Sequence, residues 1–191
     1  MPRIDPVIAP FDDVAAPLLD AMTPPGMEPI SLFRTLVRNP TMSAAMLPWG
    51  RYQLGRSLSL PVRDREIVID RTCARCGCEY EWGVHIAYFA ERAGLDRAQI
   101  GSLTHGSPDD PCWSDPVERA LIRAVDQLHE RATVDDATWA ALVSRYTPEQ
   151  LLDVLMLAGW YHAISYVANG AQVGLEPWAT RFADVARPGD A

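Results

Sequence analysis

The chain contains no lysine; all seventeen of its basic residues are arginine. That absence excludes Schiff-base chemistry on Lys, covalently held pyridoxal phosphate and a phosphate-loop Lys. Positive charge is scarce as well. Seventeen Arg against twenty-five Asp and Glu leave a net charge of −8 over 191 residues, so the composition offers no basic face to nucleic acid or to an anionic membrane. No apolar run reaches the ~20 residues that span a bilayer. Met1–Pro10, with three prolines and two charges, has no apolar stretch of signal-peptide length. These features predict a cytoplasmic protein with no membrane and no nucleic-acid partner. Low-complexity linkers and alternating strand patterns are missing too.

What remains is a chain of about one domain, at ~150 residues per domain. Its hydrophobic fraction of 48% is enough to bury a core without metal or disulfide staples. Residues 1–30 are rich in Pro, including Pro24, Pro25 and Pro29, and predict an arm with one short helical stretch near Asp12–Met22. From Ser31 the pattern is helical. Leu32, Leu36 and Val37 form one stripe that stops at Asn39-Pro40. A second segment over Thr41–Arg56 is expected to break at Pro48. Pro61–Arg75 reads as a helix ended by Gly77, Cys78–Arg92 as another closed by Gly94, and Asp96–Leu103 as a short one. Asp115-Pro116-Val117-Glu118, Thr133-Val134-Asp135-Asp136 and Thr147-Pro148-Glu149-Gln150 are N-terminal capping patterns. They open helices over Asp115–Arg131, Asp135–Tyr146 and Pro148–Asn169. The last is apolar almost all round, which predicts a central helix or a subunit interface, and hence a homo-oligomer. The fold class is all-α, with a helical domain over residues 31–178 and a tail over residues 179–191.

Three of the four cysteines, Cys73, Cys76 and Cys78, fall within six residues. Such a cluster suggests metal or redox chemistry more than a structural disulfide, the bland alternative being small buried hydrophobes. Cys73, Cys76, Cys78 and His85 would make a poor structural zinc site, because the third Cys is too close and the His lies one helix turn too deep. Cys73–Cys76 as a redox pair lacks the accompanying βαβ pattern. No metal and no cofactor is expected. The more informative spacing is Cys78, Glu81 and His85, three and four residues apart, which a helix puts on one face. Cys78 would sit in the first turn, where free N–H groups and the dipole stabilise a thiolate. Glu81 beside His85 is an acid–base pair suited to neutral pH; the alternative is a Glu–His pair that satisfies itself in a core. Glu66, on the preceding helix, could fold back onto this face.

Arg65-Glu66 and Cys78-Glu79-Tyr80-Glu81-Trp82-Gly83-Val84-His85 resemble the signature of the carboxymuconolactone decarboxylase family, which belongs to the alkylhydroperoxidase D-like superfamily. The resemblance runs from about Ser31, where Leu32-Phe33-Arg34-Thr35-Leu36 and Asn39-Pro40 fit the family's opening helix, to Trp160-Tyr161-His162. It implies a compact helical bundle and a small-molecule substrate. In the peroxidase branch the motif runs Glu, eleven residues, Cys, two residues, Cys, three residues, His. Glu66, Cys78 and His85 match it, but Glu81 stands where the second Cys belongs. The decarboxylase branch needs no Cys pair and handles a small lactone carboxylate with proton donors and acceptors, which suits Glu66, Glu81 and His85. The resemblance therefore implies a lyase with Glu66, Cys78, Glu81 and His85 as catalytic candidates. Tyr80, Trp82 and His162 are candidates for lining the substrate, and Arg65 or Arg71 for holding an anionic group. A thiol peroxidase using Cys78 is the alternative, and a non-catalytic oligomeric helical scaffold a second one. His105 and His129 read as solvated, and Cys112 has no assigned partner.

Overall fold

The computed structural model describes residues 1–189. They form α1 (Ala15–Met22), α2 (Ser31–Leu36), α3 (Pro40–Leu54), α4 (Val62–Arg75), α5 (Glu79–Phe89), α6 (Arg97–His105), α7 (Pro116–Arg131), α8 (Asp136–Val143) and α9 (Pro148–Ala171). A 3₁₀ turn follows at Phe182–Asp184, and no strand occurs among the described residues. The all-α reading holds, and the chain divides into two compact units.

The first unit comprises Met1–Leu58 and Tyr166–Pro177. The Pro-rich arm is tied down by arginines whose guanidinium groups donate to its carbonyls, Arg34 Nε to Val7 O at 2.7 Å and Arg38 Nε to Asp5 O at 2.8 Å. Its own Arg3 N–H donates to Ala171 O at 2.8 Å, satisfying one of the carbonyls left open at the end of α9. Ala15, Leu19 and Val37 form the small core, with Phe11 and Phe33 packed against it. Asn39 caps α3 by accepting from Met42 N–H, and Pro40 takes the first helical position. The expected break at Pro48 does not occur; α3 runs through it to Leu54. The strong cap and the buried Ser43 and Gln53 hold the helix where one missing hydrogen bond alone would not end it.

The second unit comprises Ser59–Ser165 and the chain from Trp178 onward. Helix α4 is its centre, packing against α5, α6 and α7. Three of its arginines pair with α7 at one constant offset of 55 residues, Arg63 with Glu118, Arg71 with Asp126 and Arg75 with Glu130. A constant difference, rather than a constant sum, means that α4 and α7 run parallel. Arg71 is the most occupied of the three. It binds Asp126 through two nitrogens and donates from Nη1 to the carbonyls of Ser102, Leu103 and Gly106 at the end of α6. Asp115, Asp135 and the Thr147–Gln150 capping box start α7, α8 and α9 where the sequence places them.

The end of α4 sets up the site. Gly77 has φ +59°, which favours glycine, and two hydrogen bonds close a Schellman turn: Gly77 N–H to Ala74 O at 3.0 Å and Cys78 N–H to Cys73 O at 2.8 Å. The clustering of three cysteines follows from this turn, with Cys73 before it, Cys76 at the cap and Cys78 opening α5. Helix α5 stops at Phe89 rather than Arg92, and Gly94, at φ +63°, ends the irregular turn that follows. The C-terminal segment then lies along α5. A side chain at Gly83 would collide with the Thr180 carbonyl, Trp82 packs on Phe182 at 4.8 Å between ring centroids, and Phe182 N–H donates to Glu79 Oε1 at 2.8 Å.

Helix α9 is, by length and composition, apolar enough to cross a membrane over an 18-residue window. That revises the count of apolar runs made on the sequence, because an average over the helix passes where the runs are broken. Half of that window is buried inside the protein, while Leu152 and Met156 are exposed.

Candidate active site

Helices α4 and α5 each contribute one turn of paired groups. Glu66 and Asp70 are four residues apart on α4, Glu81 and His85 four apart on α5, so both pairs line up on facing surfaces. His85 Nδ1 lies 2.8 Å from Glu66 Oε2, and the other Glu66 oxygen is 2.6 Å from Arg65 Nη2. On its far side His85 Nε2 is 3.1 Å from the Tyr161 hydroxyl and 3.6 Å from Glu81 Oε1. The latter is an ion pair, too long for a hydrogen bond. Tyr161 meets the imidazole edge-on, and the Arg65 guanidinium lies 5.0 Å above the Phe89 ring. Glu66 is fully buried and Asp70 and His85 nearly so; Glu81 keeps 10% of its side-chain surface exposed, which makes it the carboxylate nearest to solvent.

Burial alone would favour neutral His85. The carboxylates of Glu66 and Glu81 outweigh it and raise the imidazole from 6.5 to about 10. At neutral pH His85 is therefore an imidazolium that donates Nδ1–H to Glu66 and presents Nε2–H toward Tyr161 and Glu81. Burial, reinforced by Glu66, also holds the Asp70 carboxyl well above the usual carboxylate range. Arg65 and His85 thus stand against Glu66 and Glu81 within one buried group. Two of its oxygens, Asp70 Oδ1 and Glu81 Oε2, have no hydrogen-bond partner.

No protein-family model matches the chain, and no curated protein does. Solved structures do. A peroxidase-related protein from Silicibacter sp. TM1040 matches with a TM-score of 0.76 at 15% identity, over 94% of this chain and 96% of its own. The alkylhydroperoxidase AhpD core from Ralstonia eutropha JMP134, also peroxidase-related, gives 0.75 at 16% over 91% and 93%. The debrominase Bmp8, as a Cys-to-Ala variant in complex with 2,3,4-tribromopyrrole, gives 0.73 at 14%, with 92% of each chain covered. The fold is that of the alkylhydroperoxidase D-like proteins.

Within this alkylhydroperoxidase D-like bundle, Glu66, Glu81 and His85 meet as the sequence predicts, with Arg65 and not Arg71 beside them. Cys78 departs from expectation. It is fully buried at the start of α5, and burial pushes its thiol up to about 11, with the Glu81 carboxylate adding to the effect. The helix N-terminus does not make it a ready thiolate. Tyr80 and Trp82, both on α5, are buried, and the Trp82 indole N–H lacks a partner. His162 joins a different group. Its Nε2 lies 2.9 Å from His129 Nδ1, which is 3.9 Å from Cys76 Sγ. His129 is accordingly half-buried and paired, not solvated.

Sequence reasoning missed Tyr161 and Asp70. Asp70 carried a signal, being four residues after Glu66 on one helix. Tyr161 carried none, since only the tertiary fold brings α9 to His85. Two clusters have donor atoms all within 4.8 Å of one another, as a metal ion requires: Glu66, Asp70 and His85, and Cys76, His129 and His162. In the first, both Glu66 oxygens are already committed to Arg65 and His85. A surface depression of about 450 Å³, lined by His105 and residues 182–187, includes none of the cluster.

Proposed function

We propose that the protein is a carboxymuconolactone decarboxylase-like enzyme in which Glu81 and His85 perform acid–base chemistry on a small carboxylate or lactone. The observation that carries this reading is the buried His85 imidazole held between two carboxylates, Glu66 at 2.8 Å and Glu81 at 3.6 Å, the second of which keeps 10% of its side-chain surface exposed. An imidazolium cannot act as the base, so His85 is the acid and Glu81 the group that exchanges protons with solvent.

The reaction divides accordingly. The substrate carboxylate, facing the positive charge of Arg65 and His85, leaves as CO2. The electron pair it leaves runs onto the lactone carbonyl as an enolate, which His85 Nε2–H stabilises. His85 then gives that proton to the ring carbon and regains one from solvent by way of Glu81. Glu66 and Tyr161 are positioning residues, holding the imidazole by its Nδ1 and Nε2 sides. Bmp8, which shares the fold, has been crystallised in complex with a small ring compound, 2,3,4-tribromopyrrole, and that supports a small cyclic substrate here. The thiol-peroxidase alternative needs a thiolate, which a fully buried Cys78 at about 11 supplies poorly, and a second thiol where Glu81 stands.

The test is turnover of a small lactone carboxylate by wild type and Glu81→Gln. General acid–base groups typically contribute about 10²–10⁴-fold, and a loss of that size in kcat is expected. Unchanged turnover in Glu81→Gln rejects the assignment.

A further inference from the structure

We propose that Cys76, His129 and His162 form a metal site for a late first-row divalent cation, zinc by chemical class, separate from the Glu66–His85 cluster. The three ligands come from three elements of one unit: the C-cap of α4, the last turn of α7 and the middle of α9. They are the only mixed thiol–imidazole group among the described residues whose donor atoms lie within 4.8 Å of one another. All three are half-buried, so an ion has a way in.

The spacing fits the metal. Zn–N of about 2.0–2.1 Å and Zn–S of about 2.3 Å in a tetrahedral site put two nitrogen ligands about 3.3 Å apart and a nitrogen and a sulfur about 3.6 Å apart. The structure has 2.9 Å between His129 Nδ1 and His162 Nε2, and 3.9 Å between His129 Nδ1 and Cys76 Sγ. Shifts of a few tenths of an ångström make both ideal. The orientation is prepared as well. His162 donates Nδ1–H to Ala158 O at 2.8 Å, which leaves the Nε2 lone pair facing the other two ligands. A backbone carbonyl fixing the tautomer of a ligating His is the usual outer-shell arrangement.

Near His129 on α7, Asp126 and Glu130 are paired with Arg71 and Arg75, so the neighbouring charges balance. Thiolate and imidazole together select late first-row ions, and three protein ligands leave the fourth position to water.

On binding, the Cys76 S–H bond breaks, an S–Zn bond forms and the thiol proton goes to solvent. The proton on His129 moves from Nδ1 to Nε2, so the imidazole stays neutral. No electron is transferred. The ion would brace the Schellman turn that opens α5 and would raise Tm as any native-state ligand does.

The experiment uses full-length protein stripped with a chelator, then titrated with Zn²⁺ against a chromophoric competitor and with Co²⁺ as a spectroscopic probe. About one equivalent should bind per chain, and Co²⁺ should give the thiolate charge-transfer band and the strong visible bands of a tetrahedral site. Loss of an outer-shell partner typically costs 10–100-fold in affinity. Cys76→Ser and His162→Gln, which remove direct ligands, should therefore bind at least about 100-fold more weakly. The charge-transfer band should vanish in Cys76→Ser and persist in Cys112→Ser. Absence of stoichiometric binding in folded wild type, or a band that survives Cys76→Ser, overturns the proposal. The acid–base reading of Glu81 and His85 stands or falls separately.

Discussion

Replacing Glu66 with Gln isolates the electrostatic centre of the molecule. The rise of His85 from 6.5 to about 10 corresponds to about 5 kcal/mol in favour of its charged form. The sign follows from linkage. Below about pH 6.5 His85 is charged both folded and unfolded, and its contribution to stability is complete. Between about 6.5 and 10 the unfolded chain loses the proton and the folded protein keeps it, so stability falls by up to about 1.4 kcal/mol per pH unit. Above about 10 the contribution is gone. Asp70, also raised, works in the same sense from its ordinary value of 3.8 upward. In Glu66→Gln the imidazole keeps only Glu81, at 3.6 Å, and burial, the largest influence on it, pulls it toward the neutral form. Removing one partner of a buried ion pair typically costs about 3–5 kcal/mol. Urea unfolding should show that loss near pH 6.5 and a smaller one near pH 10, where of the two groups bound to Glu66 only Arg65 keeps its full charge, so that the two stability curves draw closer without meeting. Parallel curves, or a wild-type His85 Cε1 proton that titrates near 6.5 by NMR, would refute the reasoning.

In Gly83→Ala the new methyl group meets the Thr180 carbonyl; an overpacking cost of about 1–3 kcal/mol should exceed the helix-propensity gain of up to about 1 kcal/mol. A lower Tm and altered near-UV dichroism from Trp82 check it, and an unchanged Tm contradicts it. Thiol labelling of metal-free protein should reach the half-buried Cys112 and Cys76 first and the buried Cys73 and Cys78 only on unfolding, with no Cys76–Cys78 disulfide; early labelling of Cys78 is the opposing result. Leu152 and Met156, one turn apart on α9 and exposed, are proposed to lie in a subunit contact. Sedimentation should give an oligomer that Met156→Glu weakens, and a stable monomer of 21.1 kDa at micromolar concentration contradicts this.

Much of this architecture was legible in the residues because its punctuation is local. Asp115-Pro116, Thr147-Pro148 and Gly77 act within a few residues of themselves, and the helices start and stop near them. Pro48 misled because a single missing hydrogen bond competes with packing that the sequence does not display. The Glu81–His85 pair followed from helical spacing, and Glu66 from its place on the preceding helix and from the resemblance. Tyr161, the His129–His162 contact and the burial of Cys78 depend on which helices meet. Cys78 shows the consequence most clearly: its position at a helix start argues for a thiolate, while the packing around it argues more strongly for a thiol.

The central claim is that acid–base groups, not a thiol, carry the chemistry. The most direct measurement is CO2 release from a small lactone carboxylate by wild type and by His85→Gln, with far-UV dichroism confirming the helical fold of both. The account predicts release by the wild type and a loss of about 10²–10⁴-fold in His85→Gln. Equal rates in the two proteins, or rapid peroxide reduction with a dithiol that is lost in Cys78→Ser, would contradict it.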